Sequence, residues 1–312
     1  SIAIISSNHT FSRDVATVVN KKDAPTNKRT QPEKPKGGPR INCNGRPKIL
    51  DQIRVANLTN ISYVPKVLCF IMTHSGCHRT KIRSIQRTWG KRCDKLVIAS
   101  NQTEDSIGAV ALTNTESTYL GLWEKLNETI QYVYDQYRND GYDWIFKADD
   151  DTYVIVENLK EYLASDYVTK KMQQPQIIGR RYSSPRYRTL AKRPVYFANP
   201  LNQDFGKRFY NKVNRNKPVI YNYGGAGYAM NWPYVEKFLE VMKGPDTLHG
   251  TPPEDQGHGV VMAYHDIWPR NTRDWLNRER FHPEPPQFMY GMSDKYRRLW
   301  NDNHQATGGL SV

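Results

Sequence analysis

The strongest fold signal in the sequence is an apolar run followed at once by three carboxylates, Tyr142-Asp143-Trp144-Ile145-Phe146-Lys147-Ala148-Asp149-Asp150-Asp151-Thr152-Tyr153. Residues 144–146 predict a short strand that begins after Gly141. The strand would deliver the carboxylates to its carboxyl end, where open α/β sheets bind their ligands. Because side chains of a strand alternate in direction, we expect Asp149 and Asp151 to point the same way.

The three adjacent carboxylates predict a cation site. Like charges at this spacing repel one another, so we expect a cation among them. Two hard oxygen ligands on one side suit Mg²⁺ or Mn²⁺ carrying a diphosphate. The alternative interpretation is a solvated acidic turn, which the apolar residues on both sides, 144–146 and 153–156, disfavour.

The basic charge of the chain is unevenly distributed. The 312 residues include 45 Lys and Arg against 31 Asp and Glu, a net charge of +14. Residues 1–48 hold ten basic and three acidic residues, which is half of the excess. This polar, Pro- and Gly-rich segment cannot offset its ordering entropy, which predicts a disordered stem or linker over 1–48 and a folded domain over 49–312. A nucleic-acid-binding arm is the alternative, although the sequence shows no helix-turn-helix, zinc-finger or RNA-recognition pattern.

Strand and helix patterns alternate through the first half of the folded domain. Apolar runs predict further strands at 67–72, 95–100 and 109–112. Apolar spacings of three and four residues predict helices at 80–90, 118–138 and 154–163. This alternation predicts an α/β fold, a mostly parallel sheet with helices on both faces. Residues 180–217 show no period and are expected to be irregular, either an active-site loop or a solvated surface.

A second group of candidate site residues lies between 224 and 255. Three glycines within 224–227 let the backbone approach a ligand closely. Asn231 is suited to cap a following helix, and another helix is expected to begin at Glu254-Asp255. Carboxylates in a first helical turn are ordinary partners of the helix dipole, so this pair is either structural or catalytic.

The cysteines leave the disulfide pattern open. Cys43, Cys69, Cys77 and Cys93 form no CxxC pair, which disfavours a zinc site. Cys69 and Cys93 adjoin predicted strands and could meet across them, but three pairings, or four reduced thiols, are compatible with the sequence. The chain has no apolar stretch long enough to span a membrane. Its Asn-x-Ser/Thr sequons, a weak secretory signal, are at Asn8, Asn57, Asn60, Asn101 and Asn127.

Several motifs together resemble a known enzyme family. They are Arg87-Thr88-Trp89-Gly90-Lys91-Arg92-Cys93-Asp94-Lys95, the acidic triplet, Gly224-Gly225-Ala226-Gly227-Tyr228 and Glu254-Asp255. As a set they resemble the inverting glycosyltransferases of family 31, and within it the core 1 β1,3-galactosyltransferases, which extend O-linked GalNAc. The resemblance covers residues 64–290 and is specific as a set, not in any single motif.

The resemblance implies a GT-A fold, a Rossmann-like sheet with one nucleotide-sugar site. It implies UDP-galactose as donor and Mn²⁺ as cofactor, with Mg²⁺ as an alternative. Asp255 would be the catalytic base with Glu254 beside it, and Asp149 and Asp151 would hold the metal. The residues implied at the donor are Asp149, Asp150, Lys147, Arg83, Arg87, Gly224 and Gly225.

The resemblance also implies partners and a location. The acceptor would be a glycoprotein carrying GalNAc on Ser or Thr, and nucleic acid would not be a partner. The enzyme would face the Golgi lumen, held by an N-terminal membrane anchor preceding residue 1, and a homodimer is an expected assembly.

Two departures from the family pattern leave alternatives open. Relatives usually carry a C-terminal His that binds metal, whereas residues 308–312 contain none, so the chain is cut just short of that His, another ligand such as His282 or His304 replaces it, or metal binds weakly. The cysteines that flank the Glu-Asp element in relatives are absent, which leaves the acceptor less certain. The alternatives are a Fringe-like N-acetylglucosaminyltransferase and an inactive relative that serves as a chaperone or binding partner.

Overall fold

The computed structural model describes residues 54–112, 121–182, 199–213, 219–250 and 252–282. The predicted stem over 1–48 lies outside these ranges. The strands are β1 (Val67–Met72), β2 (Lys95–Ser100), β3 (Ala109–Ala111), β4 (Trp144–Asp149), β5 (Ile177–Gly179), β6 (Arg181–Tyr182), β7 (Tyr221–Asn222) and β8 (Tyr228–Asn231).

The described helices follow the predicted alternation. A π-helical turn, His78–Ile82, leads into the first α-helix. The α-helices are α1 (Arg83–Arg87), α2 (Leu122–Tyr137), α3 (Val156–Leu163), α4 (Asp166–Thr169), α5 (Gln203–Lys212), α6 (Trp232–Met242) and α7 (Glu254–Tyr264). Among the residues that the structure describes, no helix is both long enough and apolar enough to cross a membrane.

The central sheet has six strands in the order β3-β2-β1-β4-β8-β5. The first four strands of that order pair in parallel, whereas β8 runs antiparallel to both β4 and β5. The α/β prediction with a mostly parallel sheet is therefore confirmed. The antiparallel β8 was not predicted, because its four residues follow directly from the glycine stretch and are too few to show a period.

Helices cover both faces of the sheet, as predicted. Strand β1 is buried along its whole length, and its side chains alternate between two cores. Leu68 and Phe70 pack in the core that contains α2, α6 and α7. Cys69 and Ile71 pack in the core on the other face, with α1 and α3. Burial on both faces explains why β1 is a continuous apolar run in the sequence.

The strand order places a crevice between β1 and β4. From β1 the chain moves outward through β2 to β3, and then returns to the other side of β1 as β4. This reversal is the topological switch point at which doubly wound sheets bind ligands. In the register of the pair, Met72 lies beside Asp149, so the acidic triplet follows at the carboxyl edge of the crevice.

The prediction of irregular structure over 180–217 was wrong for residues 203–212, which form α5. Phe205 and Phe209 are buried four residues apart on one face of this helix. The Phe205 ring packs edge-on against the rings of both Phe209 and Tyr264. The helix was missed because two apolar anchors in a basic stretch give a weak periodic signal. Residues 183–198 and 214–218 lie outside the described ranges.

A disulfide joins Cys69 and Cys93, which confirms that these two cysteines meet across neighbouring strands. Cys69 is fully buried in β1, and Cys93 lies just before β2. Cys77 is a buried free thiol, and Cys43 lies outside the described residues.

We predict that the Cys69→Ala/Cys93→Ala double variant is less stable than the wild type by ~2–4 kcal/mol, because the bond constrains the unfolded chain across a separation of 24 residues. Chemical denaturation measures the loss. A thiol reductant should destabilise the wild type by a similar amount and leave the double variant unchanged. Equal sensitivity of both proteins to the reductant would contradict the prediction.

Candidate active site

The acidic triplet lies where β4 ends and the chain turns. The Thr152 amide donates to the Asp149 carbonyl at 3.1 Å, which closes the turn directly after the strand. The alternation of a strand therefore stops at Asp149 and does not set the relative directions of Asp149 and Asp151. Their partners differ: Asp149 contacts Lys147, whereas Asp151 contacts Lys81.

Two lysines contact the triplet in the part of the chain that the structure describes. Lys81 Nζ lies 2.6 Å from Asp150 Oδ1 and 3.7 Å from Asp151 Oδ2. The other oxygen of Asp150 accepts from Thr73 Oγ1 at 2.8 Å. Burial lowers the pKa of Lys81, but the hydrogen bond to Asp150 and the charges of Asp150 and Asp151 together outweigh burial and raise the pKa overall. The expected cation among the carboxylates is therefore supplied in part by the protein itself.

A basic groove of about 590 Å³ opens beside Asp150 and Asp151. Its volume is in the range of small-molecule sites. The two predicted donor-binding arginines of α1, Arg83 and Arg87, both line it. The turn preceding α1 adds Arg79 and Lys81. Four cationic side chains on one wall suit a phosphate-bearing ligand.

Lys147 is a fully buried cation at the centre of the site. Its Nζ atom lies 2.8 Å from Asp149 Oδ1, 3.3 Å from the Gly224 carbonyl and 3.4 Å from Glu254 Oε2. Burial lowers the pKa of Lys147, but the carboxylates of Asp149 and Glu254 together raise it by more. The pKa is therefore above its ordinary value, and the ammonium stays charged. Lys147 thus links the acidic triplet to the start of α7.

Glu254 is held tightly at the start of α7. It is 6% exposed, and its two oxygens are shared between Lys147 and the Tyr228 hydroxyl, which donates a short hydrogen bond to Oε1. Burial raises the pKa of Glu254, and the charge of Lys147 lowers it in part. The role of Tyr228 was not predicted, because it lies in β8, whose pairing with β4 the sequence did not show.

Asp255 faces the glycine turn. Its Oδ2 atom accepts a hydrogen bond from the Gly224 amide at 3.1 Å. The side chain keeps part of its surface exposed, unlike that of Glu254. Its deep position and the neighbouring Glu254 carboxylate raise the pKa of Asp255 to about 7, while the Gly224 amide opposes that rise. A carboxyl group with such a pKa can exchange a proton near neutral pH.

Residues 224 and 227 of the glycine turn must be glycine because the backbone there passes close to α7 and to β4. A Cβ atom on Gly224 would lie 2.7 Å from Glu254 Oε2. Gly227 has φ of +67°, and a Cβ atom there would lie 2.6 Å from the Phe146 ring. The predicted residue Gly225 meets the acidic turn instead, since its carbonyl accepts from Thr152 Oγ1 at 3.3 Å. The turn therefore fastens β4 to α7.

Further polar groups at the carboxyl end of β1 were missed by sequence reasoning. Lys125, on the buried face of α2, donates to the Thr73 carbonyl, and burial lowers its pKa. His74 and Cys77, together with Asp150, place one ligand atom each within 4.8 Å of one another. The sequence offered one signal for Lys125, namely its position on the otherwise apolar stripe of α2.

The proposed replacement metal ligands are not tested by this geometry. His282 is buried and follows Phe281, whose carbonyl accepts from Arg180 at 3.4 Å. Its role as a metal ligand stays a prediction, and His304 lies outside the described residues.

Two comparisons with known proteins agree with this architecture. A family model described as Fringe-like matches residues 63–262, which include the triplet, Lys147 and the Glu254-Asp255 pair. The chain is also 30% identical over 225 residues to glycoprotein-N-acetylgalactosamine 3-beta-galactosyltransferase 1 of Xenopus laevis. That alignment covers 71% of this chain and 51% of the relative, so the chain spans about half of the relative's length. The chain therefore belongs to the Fringe-like glycosyltransferases of family 31.

Proposed function

We propose that the chain transfers galactose from UDP-galactose to the 3-hydroxyl of O-linked GalNAc, with inversion at the anomeric carbon. The observation that carries the proposal is one polar network in which Lys147 joins Asp149 to Glu254, and Gly224 joins Lys147 to Asp255. The network connects Asp149, whose neighbours Asp150 and Asp151 line the basic groove, to Asp255, a carboxylate suited to take a proton. The transferred galactose and the acceptor follow the name of the Xenopus laevis relative.

Asp255 is a better general base than Glu254. Both oxygens of Glu254 are engaged, by Lys147 and by Tyr228, and the side chain is almost fully buried. Asp255 keeps exposed surface and has a pKa raised to about 7, which matches the operating range of a base near neutral pH. Glu254 then serves as a positioning residue that fixes the first turn of α7.

The reaction balances with a single proton acceptor. The 3-hydroxyl oxygen of the acceptor forms a bond to the anomeric carbon while the bond from that carbon to the UDP oxygen breaks. UDP leaves with the bonding electron pair, and Asp255 takes the hydroxyl proton. No covalent nucleophile is needed. A base of this kind contributes ~10²–10⁴-fold to the rate.

The acidic triplet fits a hard divalent cation, because Asp149, Asp150 and Asp151 offer only carboxylate oxygens at one turn. We propose Mn²⁺, with Mg²⁺ as an alternative. When bound, the ion would neutralise charge on the departing diphosphate. The arginines of the groove, Arg83 and Arg87, would bind the phosphates from the opposite wall.

The proposed acceptor implies a secretory location. A buried disulfide between Cys69 and Cys93 suits an oxidising compartment. We therefore propose the Golgi lumen, with a membrane anchor preceding residue 1, and a glycoprotein as the partner. Homodimer formation stays a prediction.

A second candidate function uses the same site with another donor. The matching family model is described as Fringe-like, which favours transfer of N-acetylglucosamine as the alternative. A screen of UDP-sugars against a GalNAc-Ser/Thr glycopeptide, with Mn²⁺ present, distinguishes the two. We expect transfer from UDP-galactose. Transfer only from UDP-N-acetylglucosamine would replace the first proposal, and no transfer from any donor would favour a binding or chaperone role.

We predict that Asp255→Asn lowers kcat by ~10²–10⁴-fold and leaves UDP affinity unchanged, because the amide cannot accept the proton. The wild-type kcat/KM should rise with pH through about 7 as Asp255 ionises. Asp204→Asn is a matched control, since Asp204 is an exposed carboxylate in the first turn of α5. If both variants kept full turnover, Asp255 would be a dipole partner only.

The same variant should change how stability depends on pH. The folded pKa of Asp255 is raised, so the folded state binds a proton more tightly than the unfolded state, and wild-type stability falls as pH rises from about 4 to about 7. Asp255→Asn should remove this decline and be more stable than the wild type at pH 8. Denaturation midpoints at pH 4 and pH 8 measure the difference, and a variant less stable than the wild type at pH 8 would contradict it.

We predict that Lys147→Met destabilises the protein by ~3–5 kcal/mol, because it leaves Asp149 and Glu254 without their buried cation. Lys147→Met combined with Glu254→Gln should lose less than the sum of the two single variants. A double-mutant cycle in urea measures this coupling. Additive losses would show that Lys147 contributes through packing alone.

We predict that Asp151→Asn abolishes the increase in UDP affinity caused by Mn²⁺, because a metal ligand is removed at the triplet. Titration calorimetry with UDP, with and without Mn²⁺, measures the effect. Asp140→Asn changes an exposed carboxylate before β4 and should behave like the wild type. An unchanged Mn²⁺ effect in Asp151→Asn would move the metal site elsewhere.

A further inference from the structure

A mixed cluster of metal-ligating side chains lies in the turn that follows β1. His74 Nε2 is 3.2 Å from Cys77 Sγ, and a carboxylate oxygen of Asp150 lies within 4.8 Å of both. Cys77 is buried, whereas His74 is partly exposed to solvent. The turn leaves just enough space for the imidazole, because a Cβ atom on Gly76 would lie 3.0 Å from it.

We propose that His74, Cys77 and Asp150 bind a thiophilic divalent cation such as Zn²⁺, and that this cation competes with Lys81 for Asp150. The site shares Asp150 with the carboxylate site proposed for Mn²⁺ but differs from it in ligand chemistry. Thiolate and imidazole ligands favour Zn²⁺, whereas Mn²⁺ and Mg²⁺ prefer oxygen ligands. Three protein ligands with one open position are typical of zinc sites that keep a bound water.

The protonation of Cys77 and the partners of Asp150 determine how readily the cluster binds a cation. Burial raises the pKa of the Cys77 thiol to about 11, and the facing Asp150 carboxylate adds to the rise. The thiol therefore keeps its proton until a cation binds, and that proton is released to solvent when the thiolate coordinates. Asp150 already accepts from Thr73 and Lys81, but a carboxylate has about four acceptor positions and can take a further partner.

Occupation of the site would act on the groove through Lys81. The Lys81 side chain is 29% exposed, so it can leave Asp150 when a second cation arrives. Both Lys81 and Asp150 line the basic groove. Bound Zn²⁺ would therefore take Asp150 away from the carboxylates proposed for Mn²⁺ and weaken metal-assisted donor binding, a consequence that rests on the proposed function.

Cd²⁺ is the probe for the test, because its bond to a thiolate gives an ultraviolet charge-transfer band. The protein is the full chain with Cys43→Ser, which removes the thiol outside the described residues. We expect one equivalent of Cd²⁺ to produce the band and Zn²⁺ to displace it. His74→Ala should weaken Cd²⁺ binding at least about tenfold, and Cys77→Ser should remove the band.

Lys81→Met should change Cd²⁺ affinity in the opposite direction to His74→Ala. It removes the competing ammonium, so Cd²⁺ should bind severalfold more tightly, whereas His249→Ala, a change at an exposed histidine, should have no effect. A band that persists in Cys77→Ser, or no tightening in Lys81→Met, would overturn the proposal and leave an adventitious surface site only. If Cys77→Ser fails to fold, His74→Ala and Lys81→Met still decide the outcome.

The activity arm separates this proposal from the proposed function. Zn²⁺ should raise the apparent KM for the UDP-sugar in the Cys43→Ser protein and have little effect when Cys77→Ser is added. If no protein shows transfer but the Cd²⁺ titrations behave as expected, the metal site stands and the proposed function fails. Transfer that is unaffected by saturating Zn²⁺ would overturn the competition with Lys81.

Discussion

The buried ammonium of Lys147 is the interaction on which the site depends. Three carboxylates in a row at the end of β4 and two more at the start of α7 repel one another, and burial makes each of them more costly. Lys147 contacts Asp149 and Glu254 at once, and it also binds the Gly224 carbonyl. One side chain therefore neutralises both acidic groups and fixes the distance between them. Its removal leaves buried charges without a partner, which a neutral replacement cannot correct.

The glycine turn and the strand order make this arrangement possible. The chain reverses direction across the sheet between β1 and β4, so the carboxyl ends of these strands open a crevice. Residues 224–227 pass so close to β4 and α7 that side chains at Gly224 and Gly227 would collide with Glu254 and Phe146. The basic groove beside α1 and its preceding turn is lined by Asp150 and Asp151 and by no residue of α7. The acidic triplet connects the two regions, because Asp150 and Asp151 line the groove while Asp149 reaches Glu254 of α7 through Lys147.

Sequence patterns predicted the parts of this site that local physics controls. Burial on a sheet or helix face imposes an apolar pattern, which made β1, β2 and α2 recognisable in the sequence. The carboxylates at 149–151 were recognisable because they directly follow such an apolar run. The pairing of Cys69 with Cys93 was one of several open possibilities, and the structure confirms it. The helix α5 and strand β8 were missed, since each is short and depends on neighbours distant in sequence. The strand also ends at Asp149, so Asp151 lies in a turn and not in the strand alternation assumed from the sequence.

By itself, the sequence determined the α/β class and the position of the acidic triplet directly after a buried strand. These follow from the spacing of apolar and charged residues along one segment at a time. Only the tertiary structure decided that Lys147 faces Glu254 across 107 positions, that Tyr228 holds the same carboxylate, and that His74 and Cys77 meet Asp150. The absence of a CxxC pair had argued against a zinc site, because that pattern considers only cysteines that are close in sequence. Antiparallel pairing of β8 with β4 and the turn after β1 bring distant side chains together, and no local pattern encodes those contacts.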